Sequence, residues 1–471
     1  MKKTLVALAT LAVAGGAFAQ SGMARAIDGS GVTIFGVADA TVTRMSTDGA
    51  AITQMSGDGR NESTRLGFRG VEDIGGGWGA AFWLEAAYDQ DRGTGSNTTM
   101  NNTAGGDKLA LNFTSSPVAP SVQSLTARQG LTFNRAANVS LLNKDFGEIR
   151  VGRDYVASFW NYTYYDPFGT VGVGSALNVI GGSLTPFGAQ NAPPGAAYPL
   201  VRTSNSLGWL SNNISGFRVQ VQMALAEQPT NCATPTTAQN TNYCYGGSGD
   251  GKSISARLNY RTQNLDASVA MQNVAYGNVA GASAPTLAVT GATTPGVATP
   301  DTAAAPFANV AAYTGNLSIV NMGGTYTMGA TKLFAQYGTI SRDANVTTVQ
   351  QKLSHSMFGV AHTMGALTLK ASYGMASRAD GTTLSTGTAG NTAGNTKGFE
   401  DGARIQQTAI GAVYDLSKRS AIYGTYSTNT LTVASVGSAA LRANIGFAGP
   451  TLAAGTSSTT TGLDIGIRHR F

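Results

Sequence analysis

Charge is scarce in this sequence: Asp, Glu, Lys and Arg make up 12% of the 471 residues, whereas 61 residues are glycine. A typical soluble domain has about 25% charged residues. Long apolar runs are missing as well, and no stretch reaches the roughly 20 residues that a membrane-spanning helix requires. These two absences argue against an ordinary soluble protein and against a helical membrane protein.

Catalytic motifs are also absent. The sequence has no HExxH, no GxSxG and no Walker-type lysine, and its three histidines are scattered. The glycine-rich run 246–251 is not followed by a helical pattern, so it lacks the context of a phosphate-binding loop. No run of Lys or Arg indicates nucleic-acid binding. We therefore expect no enzymatic activity, no cofactor, no metal site and no nucleic-acid partner.

Only two cysteines are present, Cys232 and Cys244, in a polar segment rich in Pro, Thr and Asn. In an exported protein a pair this close is most simply a loop disulfide. Two free thiols are the alternative. Metal binding is the weaker interpretation, because no histidine is near.

Residues 1–19 have the three parts of a secretory signal peptide. Two lysines precede the apolar run 5–14, and the small-x-small sequence Ala17-Phe18-Ala19 stands before the expected cleavage point. A buried N-terminal helix is the alternative, but the order of the three parts favours a signal. We expect a mature chain of residues 20–471, with 29 basic and 25 acidic residues, that forms one domain.

The main positive signal is a period of two. In segments such as 218–225, 253–261 and 462–471, apolar residues occupy one face of an extended chain and polar residues the other. Each segment is about as long as a tilted strand that crosses a membrane. Sixteen strands are predicted, at 32–44, 64–73, 78–90, 132–142, 148–153, 201–211, 217–226, 252–262, 266–276, 316–328, 331–341, 353–364, 367–378, 406–416, 420–429 and 462–471.

Short and long connections alternate between these strands. Seven short turns, such as 74–77 and 212–216, lie within pairs of strands, and eight longer polar loops lie between them. This is the organisation of an outer-membrane barrel. Both termini fall at one end, where the first and last strands can pair and leave no edge. We therefore predict an all-β fold, a transmembrane antiparallel barrel of 16 strands.

The connection after the fifth strand differs from the other loops. Residues 154–178 gather seven aromatic side chains around one carboxylate, Asp166, and break at Pro167 and Gly169. This composition does not fit an ordinary strand, helix or tail, and long ordered loops are usually functional. A barrel of sixteen strands leaves a lumen that such a loop can partly fill.

Arginines recur on the polar faces of strands and near their loop ends. Alternation places Arg65, Arg69 and Arg150 on polar faces. It does not decide the face of Arg135, Arg153 and Arg202, which lie near the loop ends of their strands. One interpretation is that they pair with acids of the lumen. The other is that unpaired arginines line a narrow pore, where they would attract anions and repel cations.

The sequence resembles the general porins of Gram-negative betaproteobacteria over the whole predicted mature chain. The segments that carry the resemblance are VTIFGVADA, STRLGFRGVEDIGGGW, FWLEAAY, NVSLLNKDFGEIRVGRDY, YYDPFG, DLSKRSAIYGTYS and GIRHRF. The resemblance implies a sixteen-stranded homotrimer in the outer membrane, with the long third loop folded into the lumen to form the constriction.

The resemblance also implies roles for single residues. Arg65, Arg135 and Arg202 correspond to the basic wall of anion-selective members, and Glu85 and Asp166 to the acids at the constriction. The terminal Phe471 resembles the aromatic end by which barrel precursors are recognised for insertion. A role of this residue as a lipid-facing anchor is equally compatible.

We predict a passive, water-filled diffusion channel for small hydrophilic solutes, with a mild anion preference set by the arginines. The nearest alternative is a channel specific for a sugar or phosphate, because the sequence does not fix the pore radius. An outer-membrane barrel enzyme would need a nucleophile and a base near the rim, and a non-conducting adhesin would pass no current. Expected partners are small solutes and anions, outer-membrane lipid, two further copies of the chain, and the barrel-assembly machinery after export through the periplasm.

Overall fold

A computed structural model describes residues 30–47, 50–57, 59–95, 131–184, 201–226, 251–276, 315–342, 351–378, 404–432 and 457–471. No helix in these segments is long and apolar enough to cross a bilayer. The helices are α1 Ala157–Tyr164 and α2 Leu177–Leu184. The strands are β1 Gly31–Thr47, β2 Ala50–Ser56, β3 Arg65–Gly75, β4 Trp78–Asp89, β5 Thr94–Gly95, β6 Ala136–Asn143, β7 Gly147–Tyr155, β8 Arg202–Leu210, β9 Phe217–Ala224, β10 Ser253–Arg261, β11 Leu265–Tyr276, β12 Gly315–Met328, β13 Thr331–Arg342, β14 Gln351–Met364, β15 Leu367–Arg378, β16 Arg404–Asp415, β17 Ser420–Thr432 and β18 Ser457–Arg470.

Sixteen of these strands form a closed antiparallel barrel, and β2 and β5 are short additions to it. Each barrel strand pairs with its neighbours in the chain, and β18 pairs with β1 from Val37↔Arg470 to Thr47↔Thr460. The predicted fold is confirmed. All sixteen predicted strands occur, and their ends agree within four residues except at the start of β18. Closure leaves no unpaired edge strand.

Two extensions of the barrel were not predicted from the sequence. β2 pairs with residues 41–47 of β1, so the first hairpin continues beyond the predicted strand. β18 begins at Ser457, where its added residues pair with β17, and Thr460 and Thr47 share a hydroxyl hydrogen bond of 2.7 Å. Residues 457–461 are all Ser or Thr, and residues 50–56 lie within the largely polar connection 45–63, so both segments are predicted as loops. They are strands because a neighbouring strand supplies their backbone hydrogen bonds, and threonine fits a pleated surface well.

The alternation of side chains decides which face meets lipid. In β7, Ile149 and Val151 point outward and are 43% and 59% exposed, whereas Glu148 and Arg150 point inward and are buried. An apolar outer face and a polar inner face suit a barrel with lipid outside and water inside. The largest cluster of buried apolar side chains accordingly lies between the inner wall and the third long loop.

Candidate functional site

The third long loop, which connects β7 to β8, folds into the lumen. Its helix α1 packs on the inner faces of β9–β12. Ser158 Oγ donates a hydrogen bond to Gln272 Oε1 at 2.7 Å, and Asn161 Nδ2 donates to Asn321 Oδ1 at 2.8 Å. The expectation that this stretch is not helical is wrong for residues 157–164, and also for residues 177 and 178, where α2 begins. Residues 157–162 are all buried, so the helix lacks the apolar and polar faces that reveal helices in a sequence.

Beyond α1 the loop crosses the inner wall over four glycines, which we call the glycine row. A Cβ atom at any of these glycines would collide with the side chain above it. The loop therefore lies close to the wall formed by β12–β18, because these positions carry no side chain. The pairs of loop residue and glycine are Tyr165 and Gly323, Pro167 and Gly359, Phe168 and Gly411, and Val173 and Gly462.

Asp166 does not face the open lumen. Its carboxylate accepts backbone N–H bonds from Phe168 at 2.8 Å, Thr170 at 3.0 Å and Ala176 at 2.8 Å. Burial raises the pKa of Asp166 to about 6, although these N–H groups act in the opposite direction. The hypothesis that Asp166 is the acidic side of the constriction is therefore corrected. The hydrogen bonds of this carboxylate fix the turn of its own loop instead.

Three of the predicted arginines form one cluster on the inner wall around β3, β6 and β8, beside helix α1 of the third loop. Arg135 Nε lies 2.5 Å from Glu85 Oε1, and Arg65 Nε lies 4.0 Å from the same oxygen. Arg135 and Arg202 each donate to the hydroxyl of Tyr155, at 2.7 and 2.6 Å. The Arg202 guanidinium also lies over the Tyr155 ring, 4.3 Å from its centre. We call these five residues the waist cluster, which contains three arginines and one carboxylate.

Glu62 is a site residue that the sequence pattern did not indicate. Its carboxylate forms an ion pair with Arg65, accepts a hydrogen bond from Arg470 Nε at 2.6 Å and lies 4.0 Å from Arg468 Nε. Asp39 accepts the backbone N–H of Glu62 at 2.8 Å, which holds this short segment inside the barrel. Burial alone would raise the pKa of Glu62, but the three arginines outweigh it and lower the pKa to about 2. The available signals were its place three residues before Arg65 and the basic C-terminus.

Two of the remaining predicted arginines have protein partners. Arg150 donates to Glu148 at 2.8 Å and to Asp154 at 2.9 Å, and all three side chains are buried. Arg153 Nε donates to the backbone carbonyl of Asn134 at 2.6 Å. Their geometry favours the first interpretation, in which arginines of the lumen satisfy groups of the wall.

Arg69 lies further toward the short-turn end of the barrel. Its guanidinium is 5.3 Å from the centre of the Phe35 ring and 5.7 Å from that of Trp83. Such contacts with aromatic faces do not neutralise the guanidinium charge, and Arg69 forms no ion pair within the described residues. Arg69 therefore extends the positive charge of the waist cluster along the same wall.

The other predicted site residues are at the surface or outside the described segments. Phe471 lies on the outer face, is 46% exposed, and donates its backbone N–H to the Gly36 carbonyl at 3.1 Å. Cys232 and Cys244, like the predicted signal peptide 1–19, lie outside the described residues. The pairing of the cysteines stays a prediction.

Comparisons with known proteins agree with this architecture. A family model described as Gram-negative porin matches residues 4–432. "Outer membrane porin protein 32" of Delftia acidovorans is 32% identical over 231 residues, which are 49% of this chain and 51% of that protein. The chain thus spans about half the length of this curated relative.

Solved structures show the same fold. The "anion-selective porin from Comamonas acidovorans" superposes with a TM-score of 0.62 at 22% identity, over 94% of this chain and 100% of that one. An outer-membrane protein of Vibrio cholerae described as OmpT in a trimer form superposes with a TM-score of 0.51 at 11% identity, over 94% of this chain and 100% of that one. At these identities the likeness concerns the fold alone.

Proposed function

This chain belongs to the Gram-negative porin family, and we propose that it is a passive diffusion channel for small hydrophilic solutes with a mild preference for anions. It is an outer-membrane protein with a β-barrel fold. In the proposed mechanism the third loop selects solutes by size, and the waist cluster selects them by charge. The mechanism includes no catalytic step.

The charge of the waist cluster carries this proposal. Two guanidinium groups, those of Arg135 and Arg65, share the carboxylate of Glu85, and Arg202 forms no ion pair within the described part of the chain. An excess of fixed positive charge in a narrow aqueous passage raises the local concentration of anions. Glu62 offsets part of this charge, which is why we propose a mild preference. The Comamonas porin, which has a similar fold, is described as anion-selective, and the proposal is consistent with that description.

Reversal potentials in planar bilayers under a salt gradient test the proposal. The wild-type potential should have the sign of anion preference, and Arg202→Gln should move it toward zero. Removal of one charge in the waist should change the anion-to-cation permeability ratio about two- to fivefold, from roughly 0.5–1 kcal/mol of electrostatic energy. Arg202 is the best position, because its loss leaves no carboxylate unpaired among the described residues.

Arg404→Gln is the matched control. Arg404 is an exposed residue at the loop end of β16 and carries the same charge. Its loss should change the reversal potential much less. Cation preference of the wild-type protein would contradict the proposed selectivity but not the channel, whereas the absence of any conductance would contradict the channel itself.

The proposal also covers processing and assembly. We propose that residues 1–19 are removed on export and that residues 20–471 form one barrel domain. The mature chains would assemble as homotrimers in outer-membrane lipid after insertion by the barrel-assembly machinery. The trimer form of the Vibrio protein supports the oligomeric part. N-terminal sequencing and cross-linking of protein from outer membranes would test both parts.

A further inference from the structure

A second basic cluster lies in the lumen, on the short-turn side of α1. Arg218 of β9 and Arg257 and Arg261 of β10 form its wall, and Trp160 and Tyr164 of α1 cover it. Arg261 is the last residue of β10, which places the cluster near the short-turn end of the barrel. We call these five residues the arginine–aromatic pocket. None of them belongs to the waist cluster.

The positive charge of this pocket is only partly compensated. Asp266 accepts a hydrogen bond from Arg261 Nε at 2.6 Å. Arg257 Nε donates to the amide oxygen of Asn161 at 2.8 Å, which is a neutral partner. The side chain of Arg218 forms no hydrogen bond or ion pair in the described segments, although its backbone pairs with Asn259. Guanidinium N–H groups are therefore available to a ligand, and the net charge of the pocket favours an anion.

The cover of the pocket is aromatic. The rings of Trp160 and Tyr164 are stacked, with centres 5.4 Å apart and planes inclined by 14°. The Arg257 guanidinium lies 5.3 Å from the centre of the Tyr164 ring. Aromatic faces beside guanidinium groups can contact a planar ring and a carboxylate at the same time. An arginine side chain can give a carboxylate two parallel hydrogen bonds.

We propose that the arginine–aromatic pocket binds aromatic carboxylates, such as benzoate, on the periplasmic side of the third loop. The carboxylate contacts Arg218 and Arg257, and the ring packs against the exposed part of Tyr164, which the buried Trp160 holds in place by stacking. The inference rests on the proposed function in one respect, because the ligand would reach the pocket through the proposed diffusion channel. Binding itself does not depend on conduction, so the two proposals can be tested separately.

Isothermal titration calorimetry on the folded, detergent-solubilised protein tests the pocket directly. Benzoate should bind saturably, and cyclohexanecarboxylate, with the same charge and a similar size but no aromatic ring, should bind more weakly. Arg218→Gln should weaken benzoate binding about tenfold, because it removes a charge-assisted hydrogen bond. Since Arg218 has no protein partner in the described segments, the variant should fold, and circular dichroism would check this.

Lys252→Gln is the matched control. Lys252 is exposed and precedes β10 at the end opposite Arg261, so its replacement should leave benzoate affinity unchanged. Equal benzoate affinity in the wild-type protein and Arg218→Gln would overturn the site. Equal affinity for benzoate and cyclohexanecarboxylate would overturn the ligand class. Benzoate binding by a protein that conducts no ions in bilayers would support the pocket and contradict the diffusion channel.

Discussion

Individual carboxylates in the lumen have two different roles. Glu62 and Glu85 lie against guanidinium groups, whereas Asp166 accepts three backbone N–H groups of its own loop. Hydrogen bonds to an ionised acceptor are roughly twice as strong as those to a neutral one. Ionised Asp166 therefore holds the turn of the third loop through strong hydrogen bonds. Glu62 and Glu85 instead offset the charge of nearby arginines, and so change the electrostatic potential that solutes meet.

Protonation of Asp166 should loosen the third loop. Because burial raises the pKa of Asp166 to about 6, the folded chain takes up this proton between pH 7 and pH 5, where an exposed Asp, with a pKa near 4, stays ionised. The folded state binds the proton first, so this group favours the folded state increasingly as the pH falls from above 6 toward 4. The expected effect is thus a local loosening without unfolding. Open-channel current noise in bilayers should rise between pH 7 and pH 5.

Asp166→Asn separates this effect from the titration of other groups. The variant keeps one oxygen acceptor but loses the charge, so its current should be noisier at pH 7 and insensitive to pH over the same range. Asp145→Asn, in an exposed turn, is the control and should behave like the wild type. A wild-type pH response in Asp166→Asn would show that another group is responsible.

Among the larger elements, the glycine row determines how closely the third loop approaches the wall. A methyl group at Gly359 would meet the Pro167 ring, and overpacking of this kind costs about 1–3 kcal/mol. The loop should move rather than the hydrogen-bonded strand. We expect Gly359→Ala to lower single-channel conductance and to leave the reversal potential nearly unchanged, since the arginines stay in place.

Gly208→Ala is the control for this prediction. Gly208 is also a barrel glycine, but an added Cβ would have no neighbour nearer than 3.8 Å. Its conductance should equal that of the wild type. Equal conductance of the wild-type protein and Gly359→Ala would mean that the loop is not held at the distance set by the glycine row.

Strands and helices differed in how well they could be predicted from the sequence. The strands were predictable because a barrel puts lipid on one face and water on the other, which imposes a period of two. Helix α1 was not, because the wall and its own loop bury consecutive residues, 157–162, and remove any helical period. The segment 50–56 reads as a loop, and its strand form depends on pairing with β1.

The residues of the candidate site, like the secondary structure, could be predicted only in part from the sequence. Alternation placed Arg65 on the polar face, and the family resemblance pointed to Arg135 and Glu85, which the structure brings together with it. Asp166 was misplaced because its partners are backbone N–H groups, which leave no trace in side-chain patterns. Glu62 was missed because its segment turns inward through a backbone contact with Asp39.

The whole barrel closes along the seam between β18 and β1, and Phe471 stands at the end of this seam. Its backbone exchanges two hydrogen bonds with Gly36, at 3.0 and 3.1 Å. A side chain at position 36 would collide with the Phe471 ring. The ring therefore covers the seam while remaining on the outer face, a position that suits a lipid anchor and a recognition signal alike.

Phe471→Ala should distinguish these two roles. The change keeps the backbone pairing with Gly36, so protein refolded in detergent should conduct like the wild type. If the ring is read during insertion, the amount of heat-modifiable barrel in outer membranes, at equal synthesis, should fall several-fold. Phe146→Ala removes another exposed outer-face aromatic ring, 70% exposed in a short turn, and should lower that amount little. Equal losses in the two variants would show that Phe471 acts only as a lipid anchor. Anchoring requires only an exposed aromatic ring, which both positions supply, whereas recognition requires the ring at the position of Phe471.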